Sequence, residues 1–220
     1  ERIHHAALDA LETIGLANPS PSQVELFTTA GCSMSEEGRV RFPRALVEDT
    51  VASAARNIVL HGQEERYDLE LSGERVYFGT AGAAVHLVDI EKREYRDSTI
   101  SDLYDAARLV DRMEHIHFFQ RSMVPRDLPD PREMDFNTCY ASVHGTTKHV
   151  GTSFVLPEHA DESIDMLELI AGGEKLWRKR PFVSCSCCFV VPPLRFAEDA
   201  CRVLEACVRR GMPLLLLAAG

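Results

Sequence analysis

The sequence contains no apolar run long enough to cross a membrane and has no secretion signal at its start. A transmembrane helix needs roughly 18 or more consecutive apolar residues, and no segment approaches that length. Residues 1–5, Glu-Arg-Ile-His-His, have neither the basic region nor the apolar region of a signal peptide. These absences predict a cytoplasmic protein that makes no membrane contact. An initiating methionine is also absent, so we expect a few residues to precede Glu1.

Basic residues are few. The 24 Lys and Arg residues face 34 Asp and Glu residues, which gives a formal net charge of -10. Binding to a nucleic-acid backbone needs clustered Lys and Arg, so the charge argues against a nucleic-acid partner and suits a cationic ligand better. Hydrophobic residues make up 45% of the 220 positions, which is enough to build a core.

Familiar catalytic motifs are also missing. The chain has no Gly-x-Ser-x-Gly nucleophile turn and no Walker phosphate loop. The run Gly79-Thr80-Ala81-Gly82 lacks the third glycine and the following helix of a dinucleotide-binding loop, so it indicates a turn. Hydrolysis through an activated serine and phosphate binding by a glycine-rich loop therefore have no support in the sequence.

The seven cysteines follow no regular spacing. Three of them, Cys185, Cys187 and Cys188, lie in an apolar strand-like run over residues 182–191, where alternate residues share a face. A thiolate metal site usually combines Cys-x-x-Cys pairs with a distant Cys or His, and no second pair is present. We therefore predict reduced thiols, with Cys185 and Cys187 on one face of the strand and Cys188 on the other, and no metal site.

The most informative pattern present is a short hydrophobic strand that recurs after residue 115. Its centres fall at His117, Val150, Val183 and Leu215, so the steps are 33, 33 and 32 residues. One βα unit of a parallel α/β fold needs about that much chain. A buried parallel strand needs helices over both faces and a neighbour at each edge. The series predicts an α/β fold, a (β/α)8 TIM barrel of which only about half is present.

The first hundred residues show different periods. Helical spacing and capping signals predict helices over 3–16, from Ser20 to before Gly31, and over 43–55. A period of two then predicts an antiparallel β-meander with strands at 58–61, 67–71, 75–78, 85–90 and 94–96. Thr99 and Asp102 form a capping box that starts another helix, which is predicted to end at Met113. We place the domains at 1–98, an α+β N-terminal segment, and 99–220, the first half of a barrel truncated at its C-terminus.

In a parallel barrel the reactive side chains come from the carboxyl ends of the strands and the loops that follow them. This rule selects polar and aromatic residues after three strands: Gln120, Arg121 and Ser122, then Ser153 and Phe154, then Cys187, Cys188 and Phe189. A proline-rich loop over 124–131 adds Asp127 and Asp130. The residues Thr146 to His149 precede a strand and are predicted at the opposite end.

Each candidate has a structural alternative. Phe119 and Phe154 could form an aromatic cage for a quaternary ammonium, but aromatic residues in barrel strands usually belong to the core. Asp127 and Asp130 could attract a cation, but Asp beside Pro is typical of turns. His115 and His117 lie on one side of a strand, yet without a third ligand they are more typical of surface or core histidines than of a metal site.

Five runs resemble one family in their residues, order and spacing. They are Val76-Tyr77-Phe78-Gly79 with Gly82, Asp-Ala-Ala-Arg-Leu-Val-Asp at 105–111, Val-Pro-Arg-Asp at 124–127 with Pro-Asp-Pro at 129–131, Thr-Thr-Lys-His-Val-Gly-Thr-Ser-Phe at 146–154, and Pro-Phe-Val-Ser at 181–184. In these runs the chain resembles the trimethylamine methyltransferase family, corrinoid-dependent methyltransferases with a barrel fold. The similarity covers nearly the whole chain, and family members are about twice as long.

The resemblance implies transfer of a methyl group from a small methylated amine to the cobalt of a corrinoid (cobalamin). The corrinoid would be carried by a separate partner protein and not bound tightly by this chain. The donor would be a quaternary amine such as glycine betaine, or trimethylamine. Founding members of the family use pyrrolysine, at a position that would lie beyond Gly220. A homo-oligomer stays open.

On this basis we predict the residues that line the donor cavity: Phe119, Gln120, Asp127, Ser153, Phe154 and Cys187. The aromatic rings and Asp127 would hold the cation, and the others would orient it, while catalytic residues would lie in the missing half. Two alternatives stay open. One is a binding module that captures a quaternary ammonium without turnover, and the other is a metal-dependent hydrolase that uses His115, His117 and the cysteine cluster.

Overall fold

The computed structural model describes residues 1–218, which form two compact units. The smaller unit comprises residues 1–56, 188–201 and the described residues from 216 onward. The larger unit comprises residues 57–187 and 202–215. The chain is a mixed α/β structure, as the sequence predicts.

The smaller unit begins with helices, as its period predicts. They are α1 (Arg2–Thr13), α2 (Pro21–Thr29) and α3 (Arg44–Ser53), and the short antiparallel strands β1 (Ser33–Met34) and β2 (Val40–Arg41) lie between α2 and α3. The predicted capping box at Ser20 is confirmed, since the Gln23 amide donates to Ser20 Oγ and the Ser20 amide donates to Gln23 Oε1. Leu16, Phe196 and Cys201 form the buried core of this unit.

Two separate hairpins open the larger unit. Strand β3 (Ile58–Leu60) pairs with β4 (Leu69–Leu71), with a 3-10 turn at Glu65–Tyr67 between them, and β5 (His86–Asp89) pairs with β6 (Glu94–Asp97). The predicted strand at 75–78 is wrong, so the five strands of one meander are not formed. The backbone there bonds to the start of the next strand region, near Phe118, instead, because Phe78 O accepts from the His117 amide at 2.6 Å and Gly79 bridges to Phe118.

The predicted βα series is confirmed for its first three strands. Strands β7 (Phe118–Gln120), β8 (His149–Thr152) and β9 (Val183–Val191) are parallel neighbours in that order. The helices of this part are α4 (Ile100–Arg112), α5 (Pro131–Gly145), α6 (Pro157–Ala171), α7 (Glu174–Lys179) and α8 (Glu198–Arg210). Strand β11 (Leu214–Ala218) also pairs with β9, and β10 (Arg195–Phe196) lies antiparallel to the end of β9. Within residues 1–218 this sheet is open and does not close on itself.

The capping box at Thr99 is also confirmed. Thr99 Oγ1 accepts from the Asp102 amide, and Asp102 Oδ2 accepts from the Thr99 amide at 2.9 Å. The side chain of Arg96 adds two bonds of 2.7 Å to the carboxylate of Asp102, which holds the pKa of that carboxyl well below its usual range. These contacts fix the start of α4 next to the end of β6.

The two faces of the strands have different surroundings. Phe119, Val150, Val183 and Cys185 belong to one buried cluster with residues of α4, α5, α6 and α8, so these positions face the helices. Because side chains alternate along a strand, the neighbouring positions face the other way. That other side, the open face, carries Phe118, Gln120, His149, Gly151, Ser184 and Ser186.

None of the helices in the described part of the chain is both long enough and apolar enough to cross a lipid bilayer.

Candidate functional site on the open sheet face

A cavity of about 350 Å³ lies on the open face. Strand residues form its floor, and the β3–β4 hairpin and the start of β11 supply apolar walls. Its lining residues are Ile58, Leu60, Leu69, Leu71, Arg75, Tyr77, Phe118, Gln120, His149, Ser184, Pro213, Leu214 and Leu215. The volume is suited to a small organic ligand. The cavity therefore combines aromatic and aliphatic walls with a polar floor.

The side chain of Gln120, which belongs to β7, extends across strand β8 on this floor. Its Nε2 donates to Ser186 Oγ on β9 at 3.2 Å, and its backbone carbonyl accepts from Thr80 Oγ1 at 2.6 Å. The side chain can pass over β8 because Gly151 has no Cβ: an added Cβ would lie 1.9 Å from Gln120 Oε1. Gln120 is thus held in one orientation by a glycine on one strand and a serine on the next.

His149 lies on the same floor with only 1% of its surface exposed. Its Nδ1 donates to the carbonyl of His61 at 2.8 Å, because a carbonyl oxygen can only accept. Its Nε2 is therefore unprotonated and accepts from Ser184 Oγ at 3.0 Å. Burial lowers the pKa of His149 to about 4, so the ring is neutral at neutral pH.

Sequence reasoning missed His149 and Ser184 as members of the floor. His149 is the first residue of β8, so its place at the amino end of the strand agrees with the prediction. Its side chain nevertheless faces the cavity. A signal was available, since His149 and Gly151 share a face by alternation, but nothing in the sequence said which face the helices cover.

Of the predicted cavity residues, the structure places Gln120 on the open face and the two phenylalanines elsewhere. Phe119 is fully buried in the cluster between strands and helices, and Phe154 packs against that cluster. Neither is among the described residues that line the cavity. Phe119 thus takes the core position that the sequence left open as its alternative, and a contact between either ring and a ligand stays a prediction.

The other predicted residues have structural partners. Asp127 is exposed, and both of its carboxylate oxygens accept from the Ile100 amide, at 3.1 and 3.3 Å, which caps α4. Ser153 Oγ accepts from Arg121 Nη2 at 2.7 Å. Cys187 is buried, and alternation places it on the helix-covered side with Cys185. Their roles toward a ligand remain predictions.

The loop after β8 is held from its helix-covered side by Asp135. This carboxylate is fully buried, and its Oδ2 accepts from the Val155 amide at 2.7 Å and from His159 Nδ1 at 2.8 Å. Arg121 binds the same loop through the carbonyl and hydroxyl of Ser153. Asp135 was not predicted, because a carboxylate within a helix usually belongs to its solvent face. Ser153 and Phe154 are thus carried on a loop anchored at both ends.

Six of the seven cysteines are buried thiols, and Cys188 is half-buried. Burial raises the pKa of Cys139 to about 12, and a hydrogen bond with Cys207 together with burial raises the pKa of Cys185. Thiols in this state are poor metal ligands and nucleophiles. No group of three or more His, Cys, Asp or Glu residues suited to a metal lies within residues 1–218, and His117 Nδ1 already accepts from the Phe78 amide. The geometry therefore adds no support for a metal-dependent hydrolase.

Comparison with known proteins gives a consistent result along the whole chain. The sequence model of the trimethylamine methyltransferase (MTTB) family matches residues 1–220. The trimethylamine methyltransferase MttB of Desulfitobacterium hafniense (strain DSM 10664 / DCB-2) is 31% identical over 99% of this chain, and MttB2 of Methanosarcina mazei is 28% identical over 98%. The glycine betaine methyltransferase of Desulfitobacterium hafniense (strain Y51) is 24% identical over 98%.

In each of these three alignments the chain covers 44% of the relative, so it spans less than half of the length of the curated relatives it matches. The resemblance predicted from the five sequence runs is confirmed by the match along all 220 residues. The chain belongs to the trimethylamine methyltransferase family.

Proposed function

We propose that the protein carrying this chain transfers a methyl group from a methylated amine to the cobalt of a corrinoid held by a separate protein. The observation that carries the proposal is the family match over every residue of the chain. Relatives named for trimethylamine and for glycine betaine both align along nearly its full length. The donor class is therefore a small methylated amine, quaternary or tertiary.

The proposal includes the fold. Residues 99–220 would form the first half of a (β/α)8 barrel, with residues 1–98 as the preceding segment. Three observations support this: β7, β8 and β9 are parallel neighbours, helices cover one face, and a cavity lies on the other. In a closed barrel the open face would become the interior, and the carboxyl ends of the strands would form the rim of the site.

The residues present suit the donor rather than the corrinoid. A cavity of about 350 Å³ can hold a small amine and is far too small for a corrinoid ring, which agrees with a cofactor carried by a partner protein. The reduced corrinoid, when bound by that partner, supplies a strong cobalt nucleophile. The contribution of this chain is then to bind and orient the donor so that one methyl carbon points toward the rim.

The leaving group sets what the site must do. In a displacement at a methyl carbon, the electron pair of the C–N bond stays on nitrogen. A quaternary ammonium therefore leaves as a neutral amine and needs orientation but no proton. Tyr77 and Phe118 line the cavity and can contact a methylated ammonium through their ring faces, which attract cations.

The direct test uses the complete gene product that contains this chain. It is incubated with a reduced corrinoid protein and with glycine betaine or trimethylamine, and methylation of the cobalt is followed by the change in corrinoid absorbance. We expect methylation with at least one of the two donors. No methylation with either donor, or with other methylated amines, would contradict the proposal. Calorimetric binding of a donor without any methylation would favour the binding module instead.

A further inference from the structure

The polar groups on the open face differ in how many of their donor hydrogens have an acceptor. In the pair formed by His149 and Ser184, His149 Nδ1 donates to the His61 carbonyl and the Ser184 hydroxyl donates to His149 Nε2, so each donor hydrogen has an acceptor. In the pair formed by Gln120 and Ser186, Ser186 Oγ accepts from Gln120 Nε2. Within residues 1–218, neither the hydroxyl hydrogen of Ser186 nor the second amide hydrogen of Gln120 has an acceptor.

The two donor groups lie next to each other: Gln120 lines the cavity, and Ser186 is its hydrogen-bond partner on β9, just outside the lining residues. Their donor atoms, Ser186 Oγ and Gln120 Nε2, are 3.2 Å apart. Thr80 holds the backbone of Gln120, Gly151 leaves room for its side chain, and Ser186 binds its amide, so the pair is arranged before any ligand enters. Two adjacent donors, one of them a hydroxyl that can rotate toward its acceptor, match one acceptor group that carries charge, such as a carboxylate.

The charges of the residues that line the cavity also favour a carboxylate ligand. Among the described residues that line the cavity, Arg75 is the one charged side chain, ion-paired with Glu70 at 3.0 Å, and none is a carboxylate. His149 is uncharged at neutral pH because of its burial. A carboxylate entering this site would therefore meet no like charge from the lining residues, whereas aromatic rings remain for the ammonium end.

We propose that Ser186 and Gln120 bind the carboxylate of a zwitterionic, betaine-type methyl donor. The inference rests on the proposed function and names the donor class of the same site. It makes Ser186 a specificity-determining residue that the sequence alone did not select. Trimethylamine is protonated at neutral pH, and trimethylammonium has no acceptor group to satisfy these donors, so the pair would favour betaines over simple methylamines.

The test compares two ligands that share a methylated ammonium and differ in the carboxylate. Glycine betaine and tetramethylammonium are titrated calorimetrically into the complete protein and into Ser186→Ala. Because a hydrogen bond to a charged group is lost, we expect binding of glycine betaine to weaken by about tenfold. Binding of tetramethylammonium should change by less than about twofold, since it makes no hydrogen bond to the hydroxyl.

A second variant gives opposite signs for the two ligands. Gln120→Glu keeps the size of the side chain and replaces a donor by an anion. We expect glycine betaine to bind at least about tenfold more weakly and tetramethylammonium to bind more tightly, because the new charge repels the carboxylate and attracts the cation. A purely structural role for Gln120 would weaken both ligands together.

The control is Ser101→Ala, which removes an exposed hydroxyl on α4 and should leave both affinities unchanged. The inference is overturned if both ligands lose affinity equally, or if neither variant changes the binding of glycine betaine. The two levels of proposal fail separately. An absence of corrinoid methylation with the selective binding intact would remove the methyl-transfer function and leave the carboxylate site standing.

Discussion

Among single residues, His149 connects stability to pH. Its imidazole is buried and neutral, with Nδ1 bound to a carbonyl and Nε2 bound to a hydroxyl. Protonation of Nε2 would break the bond from Ser184 and place a charge in a buried site. The folded protein therefore binds this proton only near pH 4, whereas an unfolded histidine binds it near its ordinary pKa of 6.5.

It follows that the free energy of unfolding falls as pH falls through the window from about 6.5 to about 4, since the unfolded state binds more protons there. Between pH 7 and pH 5 we expect His149 to account for a loss of about 2 kcal/mol. Urea unfolding of the wild type and of His149→Asn at both pH values measures this loss of unfolding free energy. The variant should lose less than the wild type between pH 7 and pH 5. The exposed His115→Asn serves as control. Equal pH dependence in the wild type and His149→Asn would contradict the assignment.

The other single residues show what a residue type can and cannot predict. Gln120 and Phe119 are adjacent; Gln120 was selected for its place after a strand and Phe119 for its aromatic ring. Only Gln120 reaches the open face, because side chains alternate and the helices cover the side of Phe119. Asp127 and Ser153 were selected for their chemistry, and in the structure they accept bonds from Ile100 and Arg121.

Among the elements, the junction of α4, β7 and β8 depends on Lys148. This buried ammonium donates to the carbonyls of Val110, Met113 and Ile116 at 2.7, 2.6 and 2.6 Å. The carbonyls belong to the end of α4 and the connection to β7, where the regular helical hydrogen bonds stop. One side chain from the start of β8 therefore fixes how α4 ends.

Lys148→Met should lower the free energy of unfolding by about 2–3 kcal/mol, because the buried carbonyls lose a charged donor and the replacement offers none. The midpoint and slope of urea denaturation measure this change. Lys175→Met, at an exposed position of α7, is the matched control and should change stability by less than about 0.5 kcal/mol. Similar small effects of both substitutions would show that water replaces Lys148 without cost.

Element boundaries could be predicted where the signal is local. The capping boxes at Ser20 and Thr99 start helices where expected, because the bonds join residues three apart in sequence. The strand expected at 75–78 failed for the opposite reason. Its alternation was real, but its backbone pairs with the region of His117 and Phe118, which is far along the chain.

In the molecule as a whole, the last described strand, β11, exposes apolar side chains. Three consecutive leucines of β11, at 215, 216 and 217, are 50%, 55% and 43% exposed. An apolar strand with exposed side chains favours pairing with another chain. In the proposed barrel, further βα units of the complete protein cover that strand.

We therefore expect residues 1–220 expressed alone to self-associate and to bind a hydrophobic dye, while the complete gene product does neither. Light scattering and dye fluorescence at matched concentrations measure the difference. The double variant Leu215→Lys and Leu217→Lys, at two positions that share a face of the strand, should reduce the self-association of the isolated chain. An isolated chain that is monodisperse and binds no dye would argue against half of a barrel.

The sequence by itself determined the local and periodic features of this protein: the helix starts, the spacing of 33 residues between strands, and the family to which the chain belongs. These depend on residues close together or on a pattern that repeats. Only the tertiary structure decided which face of the strands is covered by helices, and so which side chains meet. Gln120 and Ser186 are 66 residues apart, and no local rule brings them together. Their contact exists because parallel strands align in one register and a glycine between them leaves room.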